Sequence, residues 1–558
     1  MVKKIFLIIF LFNVSIYAEQ VIYIPSTSLK SIDAESLLER TQILSSDEFE
    51  GRGVGTRGEV LATNYIADIF KTLGLIACGE NGTYFQKVPL IGITPDPETI
   101  TLEFSNFNEP LNYRDDYVVW TNQEKRLIDL ASKDVIFVGY GVTAPEYGWD
   151  DFKDVDVKDK ILIALINDPQ IPDPKKPEVL DETIFEGKAM TYYGRWTYKF
   201  EEAARRGASG ALIIHETELA GYGWNVVESS NTGELFTLKG QESNKLPFQG
   251  WITYDLASQL FNKAGYDLEV LKQKALDKNF LPIVLNTKGS VHLENSIKNI
   301  ESNNVVGVLE GKDPVLKKEY VVYMAHWDHF GIGDPINGDS IYNGANDNAI
   351  GVASLFEIAK AFNNANEGPS RSVVFLSVTA EEQGLLGSEY YTEHPIFPLE
   401  KTLAVVNIDG LNTYGRTKDV TIVGYGQSNL DEYIEKAANN MQGRIITKDP
   451  EPEKGFYYRS DHFNFAKKGV PALDPDQGSI YIGKPENYGI ELRRWYNENI
   501  YHSPFDEVRD DWDLSGAIED LQLFFTVGYM LTETGAWPVW NNSSEFKAIR
   551  EASLKANN

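Results

Sequence analysis

The C-terminal half of this 558-residue chain alternates between two rhythms. Residues 304–309, 320–325, 372–378 and 403–408 are apolar at nearly every position, as strands buried on both faces are. Between them apolar residues recur at helical spacing. In 348–362, for example, Val352, Leu355, Phe356, Ala359 and Phe362 share one face. Further helices are predicted at 384–391, 430–440 and 514–531. Such alternation predicts an α/β fold, a mostly parallel mixed sheet flanked by helices.

The N-terminal half reads differently. Helical spacing covers 34–44 and 58–73, the second with Leu61, Tyr65, Ile66, Ile69, Phe70 and Leu73 in register and Gly74 as its stop. The glycines of 51–55 resemble a phosphate loop, but no apolar strand precedes them and no GK[ST] follows, so they read as a turn. From about 112 to 282 short β runs (135–140, 161–166, 211–215) and a helix at 198–206 form a middle block. It holds no cluster of His with carboxylates, so the chemistry belongs elsewhere. His215 and His292 read as structural residues and His394 as a surface one. The polar stretch 541–558 is a helix or a frayed tail.

Charge and cysteine content narrow the function. A formal net charge of −30 argues against nucleic acid or an anionic membrane as partner. Lys3 and Lys4, the apolar run 5–12 and Ala18 make residues 1–18 a signal peptide, far short of the ~20 apolar residues a membrane span needs. No later stretch is long enough to span, so the mature chain is expected in the periplasm or outside the cell. The single cysteine, Cys78, has no partner for a disulfide and is read as inert. No particular oligomeric state is indicated.

Candidate chemistry collects where the apolar runs stop. The run 320–325 ends in His326, Trp327, Asp328 and His329, and Asp347 opens the next helical stretch. Period-2 alternation puts His326 and Asp328 on one side, so the carboxylate can orient the ring nitrogen that a metal leaves free. Glu381 and Glu382 follow 372–378, and Asp409 follows 403–408. Asp461, His462, Tyr501 and His502 come later. Three of these sets stand at the carboxyl end of a predicted parallel strand, where open α/β sheets place their sites. Acids and imidazoles converging there would repel or stay unpaired without cations. His and carboxylate donors without thiolates suit catalytic zinc. Two metals about 3.5–4 Å apart can share one carboxylate and a water, with a free carboxylate as general base.

The blocks AHWDH, GANDNAIG, TAEEQGLLGS, NIDG, RSDHFNFAKKGVPAL and YHSPFDEV, in that order over roughly 300–535, resemble the family-28 zinc metallopeptidases of clan MH. DEFEGRGVGTRGE and NGTYFQKVPL resemble members of the same family, and VGYGVTAPEYGWDDF with KFEEAARRGASGALII is similar to a protease-associated insert domain. The resemblance implies a zinc-exopeptidase (phosphorylase/hydrolase-like) fold. Its parts would be a signal peptide 1–18, peptidase segments 19–111 and 283–540, a β-rich insert 112–282 and a tail 541–558. It implies two Zn²⁺ per chain, one on His326, Asp347 and Asp409, the other on Asp347, Glu382 and His502. Glu381 is then the general base, Asp328 the partner of His326, Tyr501 an oxyanion donor and Arg459 a substrate contact. His329 packs near the mouth of the site, and Asp461 and His462 receive no metal. A cis peptide is expected at Asp347–Asn348.

The function expected is aminopeptidase cleavage of peptides. Three alternatives stay open: a carboxypeptidase of the same fold, with Arg493 and Arg494 as candidate carboxylate binders; a glutaminyl-cyclase-like transferase; and a non-catalytic protein that binds partners through the insert.

Overall fold

Strands apolar at every position must be covered on both faces, and that requirement sets the architecture. In the computed structural model, which describes residues 22–241, 244–365, 368–441 and 443–556, the main sheet is mixed and flanked by helices. Its centre is the parallel set Ala472–Asp476, Thr402–Asn407, Tyr320–His326 and Ser372–Val378. Antiparallel neighbours close it on either side, Asp419–Val423 against Ala472–Asp476 and Ile283–Leu309 against Ser372–Val378. The expected signal segment, 1–18, lies outside the described residues.

Strand alternation divides the covering layers. Val321, Tyr323 and Ala325 face a core built with helices Ala34–Leu44, Arg57–Thr72, Ile350–Asn363 and Ser515–Glu533. Val322 and Met324 face Tyr391 and Phe465 on the other side. Contact is closest where the Tyr323 hydroxyl donates to the Phe524 carbonyl at 2.8 Å. A Cβ on Gly528 would stand 1.8 Å from that hydroxyl, so only glycine fits there.

The strand Ile283–Leu309 is 27 residues long and serves two sheets. Its C-terminal half pairs with Phe85–Pro95 and Ser372–Val378. Its N-terminal half pairs with Thr101–Phe104 and Leu127–Phe137, which opens a second sheet. Ile161–Leu165, Gly210–His215 and Phe248–Thr253 continue that sheet in parallel, and Tyr117–Trp120 ends it antiparallel. Apolar cores cover both of its faces and make a second lobe. One of them draws on Ile100, Leu102, Phe104, Leu285, Val291 and Leu293, outside 112–282.

The helix expected from 348 begins at Ile350, after an irregular turn at Ala345–Ala349 in which Asp347 and Asn348 leave helical geometry. The expected cis peptide lies between those two residues. The C-terminal stretch is a docked helix, Lys547–Ala556: Phe546 and Arg550 are buried, and Arg550 donates to the carbonyls of Leu399 and Thr402. Among the described residues no helix is long and apolar enough to cross a membrane.

Candidate active site

Register explains why the scattered acids meet. His326 pairs with Val378 and Met324 with Asn407, so three parallel strands end level with one another. The residues that follow each strand emerge side by side: Asp328, then Glu381 and Glu382, then Asp409. Asp347 joins them from the irregular turn, whose backbone is tied down from two sides. The Asp506 carboxylate accepts the N–H groups of Asn346 and Asp347. The Asn348 side chain donates to the Ile408 carbonyl and accepts the Gly351 and Gly410 N–H groups.

The donors form two sets that share one carboxylate. His326 Nε2 lies 3.2 Å from Asp347 Oδ1 and 3.1 Å from Asp409 Oδ1. His502 Nε2 lies 3.2 Å from Asp347 Oδ2 and 3.4 Å from Glu382 Oε2. Neighbouring ligands of a tetrahedral zinc with bonds of about 2.0 Å stand about 3.3 Å apart, so both sets have the spacing of zinc ligands. The charge balance agrees with that fit. Burial, then Glu382, Asp409 and Asp461, push the Glu381 carboxyl well above the usual carboxylate range. Burial works against a charged His326, yet Asp409, Glu381 and Asp347 outweigh it and raise the imidazole well above its ordinary value. A cluster this acidic is relieved by cations.

Glu381 belongs to neither ligand set and faces Glu382 and Asp409. Tyr501 stacks on the His502 ring with centroids 3.7 Å apart. Although Tyr501 is 46% exposed overall, burial of its hydroxyl, with Asp347, Glu382, Glu381 and Asp409 facing it, keeps that hydroxyl protonated. Arg459 lies next to Ser460, whose hydroxyl donates to Asp409 Oδ2 at 2.6 Å. Asn407 in turn donates to Ser460.

The structure modifies several expectations. The free nitrogen of His326, Nδ1, is bonded at 3.1 Å to the backbone carbonyl of Asp328, whose carboxylate stands 3.9 Å away. That carboxylate accepts the N–H groups of Glu381 and Glu382 instead, so Asp328 anchors the acidic pair. His329, expected only near the mouth, is buried and bonds Glu382 Oε1 through Nδ1 at 2.6 Å. His329, Asp347 and Glu382 thus make a compact triad as well. A 2.6 Å contact is a hydrogen bond with no room for an ion between its atoms, whereas His502 stands at 3.2 and 3.4 Å from Asp347 and Glu382, the spacing of zinc ligands. Burial pulls His329 down to about 4, so it is a neutral donor that orients Glu382. Nothing separated its role from that of a packing residue in the sequence, because only Glu382, 53 positions away, reveals it.

Arg52, in the glycine segment read as a turn, was likewise missed. It is 1% exposed and donates to the carbonyls of Leu44, Trp327, Asn343 and Gly344, bracing both loops that carry the donors. Arg493 is paired with Asp476 and Arg494 is exposed, so neither forms a carboxylate pocket. Asp461 and His462 are buried beneath the site, Asp461 bonded by Ser388. His215 is buried in the second lobe, His292 lies at its surface, and His394 is exposed.

Residues 304–526 match the model of Peptidase family M28. Among curated proteins, aminopeptidase YwaD of Bacillus subtilis is 27% identical over 215 residues, 38% of this chain and 40% of its own. Aminopeptidase NAALADL1 of Mus musculus is 36% identical over 127 residues, 22% of this chain and 15% of its own. A probable zinc metalloprotease of Pyricularia oryzae is 40% identical over 95 residues, 17% of this chain and 18% of its own. The chain thus spans at most 40% of the length of these relatives. Among solved structures, an aminopeptidase from Aneurinibacillus sp. strain AM-1 is 18% identical with a TM-score of 0.49, covering 92% of this chain and 97% of that one. The likeness to peptidase family M28 is thus carried by the segment 304–526.

Proposed function

We propose that this protein is a di-zinc aminopeptidase that removes N-terminal residues from peptides. The observation that carries the proposal is the shared carboxylate: Asp347 turns one oxygen to His326 and the other to His502, each at 3.2 Å. His326, Asp347 and Asp409 would hold one zinc, and Asp347, Glu382 and His502 the other. The match of residues 304–526 to family M28, the aminopeptidases among the relatives and the zinc named for one of them support the reading. Bound there, zinc supplies Lewis-acid polarisation of the scissile carbonyl and acidifies the attacking water.

The remaining roles fall to side chains of the chain itself. Glu381 accepts the proton of the attacking water and returns it to the leaving amine. Its backbone N–H is fixed on the Asp328 carboxylate at 3.1 Å, which anchors the residue beside the donor sets. Tyr501, protonated, donates to the oxyanion as negative charge develops on the substrate carbonyl. The free α-amine of the substrate binds near Asp409. We take the middle block as a protease-associated domain and residues 1–18 as the signal for export, on the motifs and the apolar pattern that suggest them.

Glu381→Gln tests the assignment. Turnover of an aminoacyl p-nitroanilide should fall by about 10²–10⁴-fold while zinc, measured by mass spectrometry, stays near two per chain. Near-normal turnover, or loss of the zinc, removes Glu381 from the role given to it. Cleavage of N-blocked peptides in place of free-amine ones would favour the carboxypeptidase instead.

A further inference from the structure

Beside the metal centre stands a β-ribbon that the mechanism above leaves without a task. Its strands, Gly331–Ile336 and Asp339–Tyr342, pair only with each other among the described residues. The base of the ribbon is held backbone to backbone. A Cβ on Gly51 would stand 2.5 Å from the carbonyl oxygens of both Gly331 and Tyr342, and one on Gly53 would stand 3.1 Å from the Gly331 Cα. The His329 N–H, just before the ribbon, donates to the Arg52 carbonyl at 3.4 Å. The glycines at 51 and 53, in a segment that reads as a plain turn, thus let the chain lie directly against the ribbon. Within the ribbon the Tyr342 hydroxyl donates to the Asp334 carbonyl at 3.1 Å, and the Tyr342 ring fills the place of a Cβ on Gly333. At the far end Asn337 and Gly338 both take positive φ, as a tight two-residue hairpin turn requires.

Phe330 joins this fixed ribbon to the metal centre. Its ring meets the His502 ring edge to face with centroids 4.7 Å apart, and the His329 ring at 4.9 Å. Tyr501 stacks on the same His502 ring, and Tyr496 follows Tyr501 at 6.3 Å. From Phe330 the row continues to Tyr342 at 6.1 Å. Phe330, Tyr501 and His502 are all exposed, Phe330 to 37%. A single exposed ring needs no explanation. A row of open rings bordering an acidic centre is different, because it offers an apolar group a surface to cover.

We propose that Phe330 is a specificity-determining residue, whose open face packs against the side chain of the residue that follows the scissile bond. The direction comes from the two donor sets. A peptide with its free amine near Asp409 and its scissile carbonyl at the second set runs towards His502, so the residue beyond the bond leaves along the row. The favoured substrates therefore carry an aromatic or large aliphatic side chain at that position. The inference rests on the aminopeptidase reading above and narrows its substrate class.

The test uses the wild-type enzyme loaded with zinc on four peptides, Leu-Phe-amide, Leu-Leu-amide, Leu-Ser-amide and Ala-Ser-amide. Leu-Phe-amide should exceed Leu-Ser-amide in kcat/KM by tenfold or more, with Leu-Leu-amide between them. In Phe330→Ala that ratio should fall towards one, mainly through a raised KM for Leu-Phe-amide, and Phe330→Leu should keep an intermediate ratio. A ring that only props His502 would slow every peptide alike and leave the ratio in place. An unchanged ratio in both variants therefore overturns the proposal, as does equal kcat/KM on Leu-Phe-amide and Leu-Ser-amide by the wild type. A variant that shifts only the ratio of Leu-Ser-amide to Ala-Ser-amide overturns it too, since Phe330 would then face the N-terminal residue. If the wild type cleaves none of these free-amine peptides, the aminopeptidase reading itself fails and takes this inference with it.

Discussion

His329 shows how one side chain can matter without touching substrate. Its Nδ1–H holds one oxygen of Glu382, which leaves the other turned towards His502. His329→Ala frees that carboxylate to rotate. Loss of such an orienting partner typically costs 10–100-fold in metal affinity, so the variant should surrender one zinc to a competing chelator at about that much lower chelator strength while keeping the other. Equal retention of both ions would remove His329 from this role. The candidate residues themselves were legible in the chain, because His326, Glu381, Glu382 and Asp409 stand where apolar runs stop. The supports were not. Arg52 acts through backbone carbonyls almost 300 positions away, and carbonyls leave no trace in a sequence. The Asp328 carboxylate was expected to orient the imidazole, but the backbone carbonyl of the same residue reaches it first.

Among the elements, the strands were the easiest to read and the long helix Ser515–Glu533 the most constrained. A strand buried on both faces has a composition no surface element shares, which is why Ser372–Val378 is found at its expected limits. Helix starts were less legible: the turn at Ala345–Ala349 departs from helical geometry to present Asp347, and periodicity cannot register that departure. In Ser515–Glu533, Gly528 gives up helix propensity for contact. Alanine is favoured over glycine by about 1 kcal/mol in an exposed helix interior. Here its methyl group would press into the Tyr323 ring, which is buried and hydrogen-bonded. Overpacking of this kind costs about 1–3 kcal/mol, so Gly528→Ala should lower the urea midpoint rather than raise it. Pairing it with Tyr323→Phe, which removes the atom in closest conflict, should recover part of the loss.

At the scale of the molecule the second lobe carries its own response to pH, because it hides a lysine near carboxylates. Lys199 is 3% exposed and donates to the carbonyls of Asn167 and Tyr193. Burial pulls it down to about 7, against the pull of Asp168 and Asp151. A lysine depressed in the fold adds stability that is complete above its ordinary value of 10.5 and is lost as pH falls through about 7. The second lobe should therefore stabilise between pH 7 and 10, by an amount on the order of a few kcal/mol. Lys199→Met should flatten that rise when urea unfolding is followed by tryptophan fluorescence at pH 7, 8.5 and 10. An unchanged slope would mean that the lysine is charged in the fold. Burial of Lys199 beside Asp151 and Asp168 is a tertiary fact, and nothing in the sequence sets this lysine apart.

The strand Ile283–Leu309 has one more consequence. Because a single unbroken ribbon is woven into both sheets, there is no linker at this crossing about which one half could swing. Turning the halves against each other would tear rungs from a ladder that each needs. The crossing itself therefore sets how the two sheets are turned against each other, with no joint there to flex.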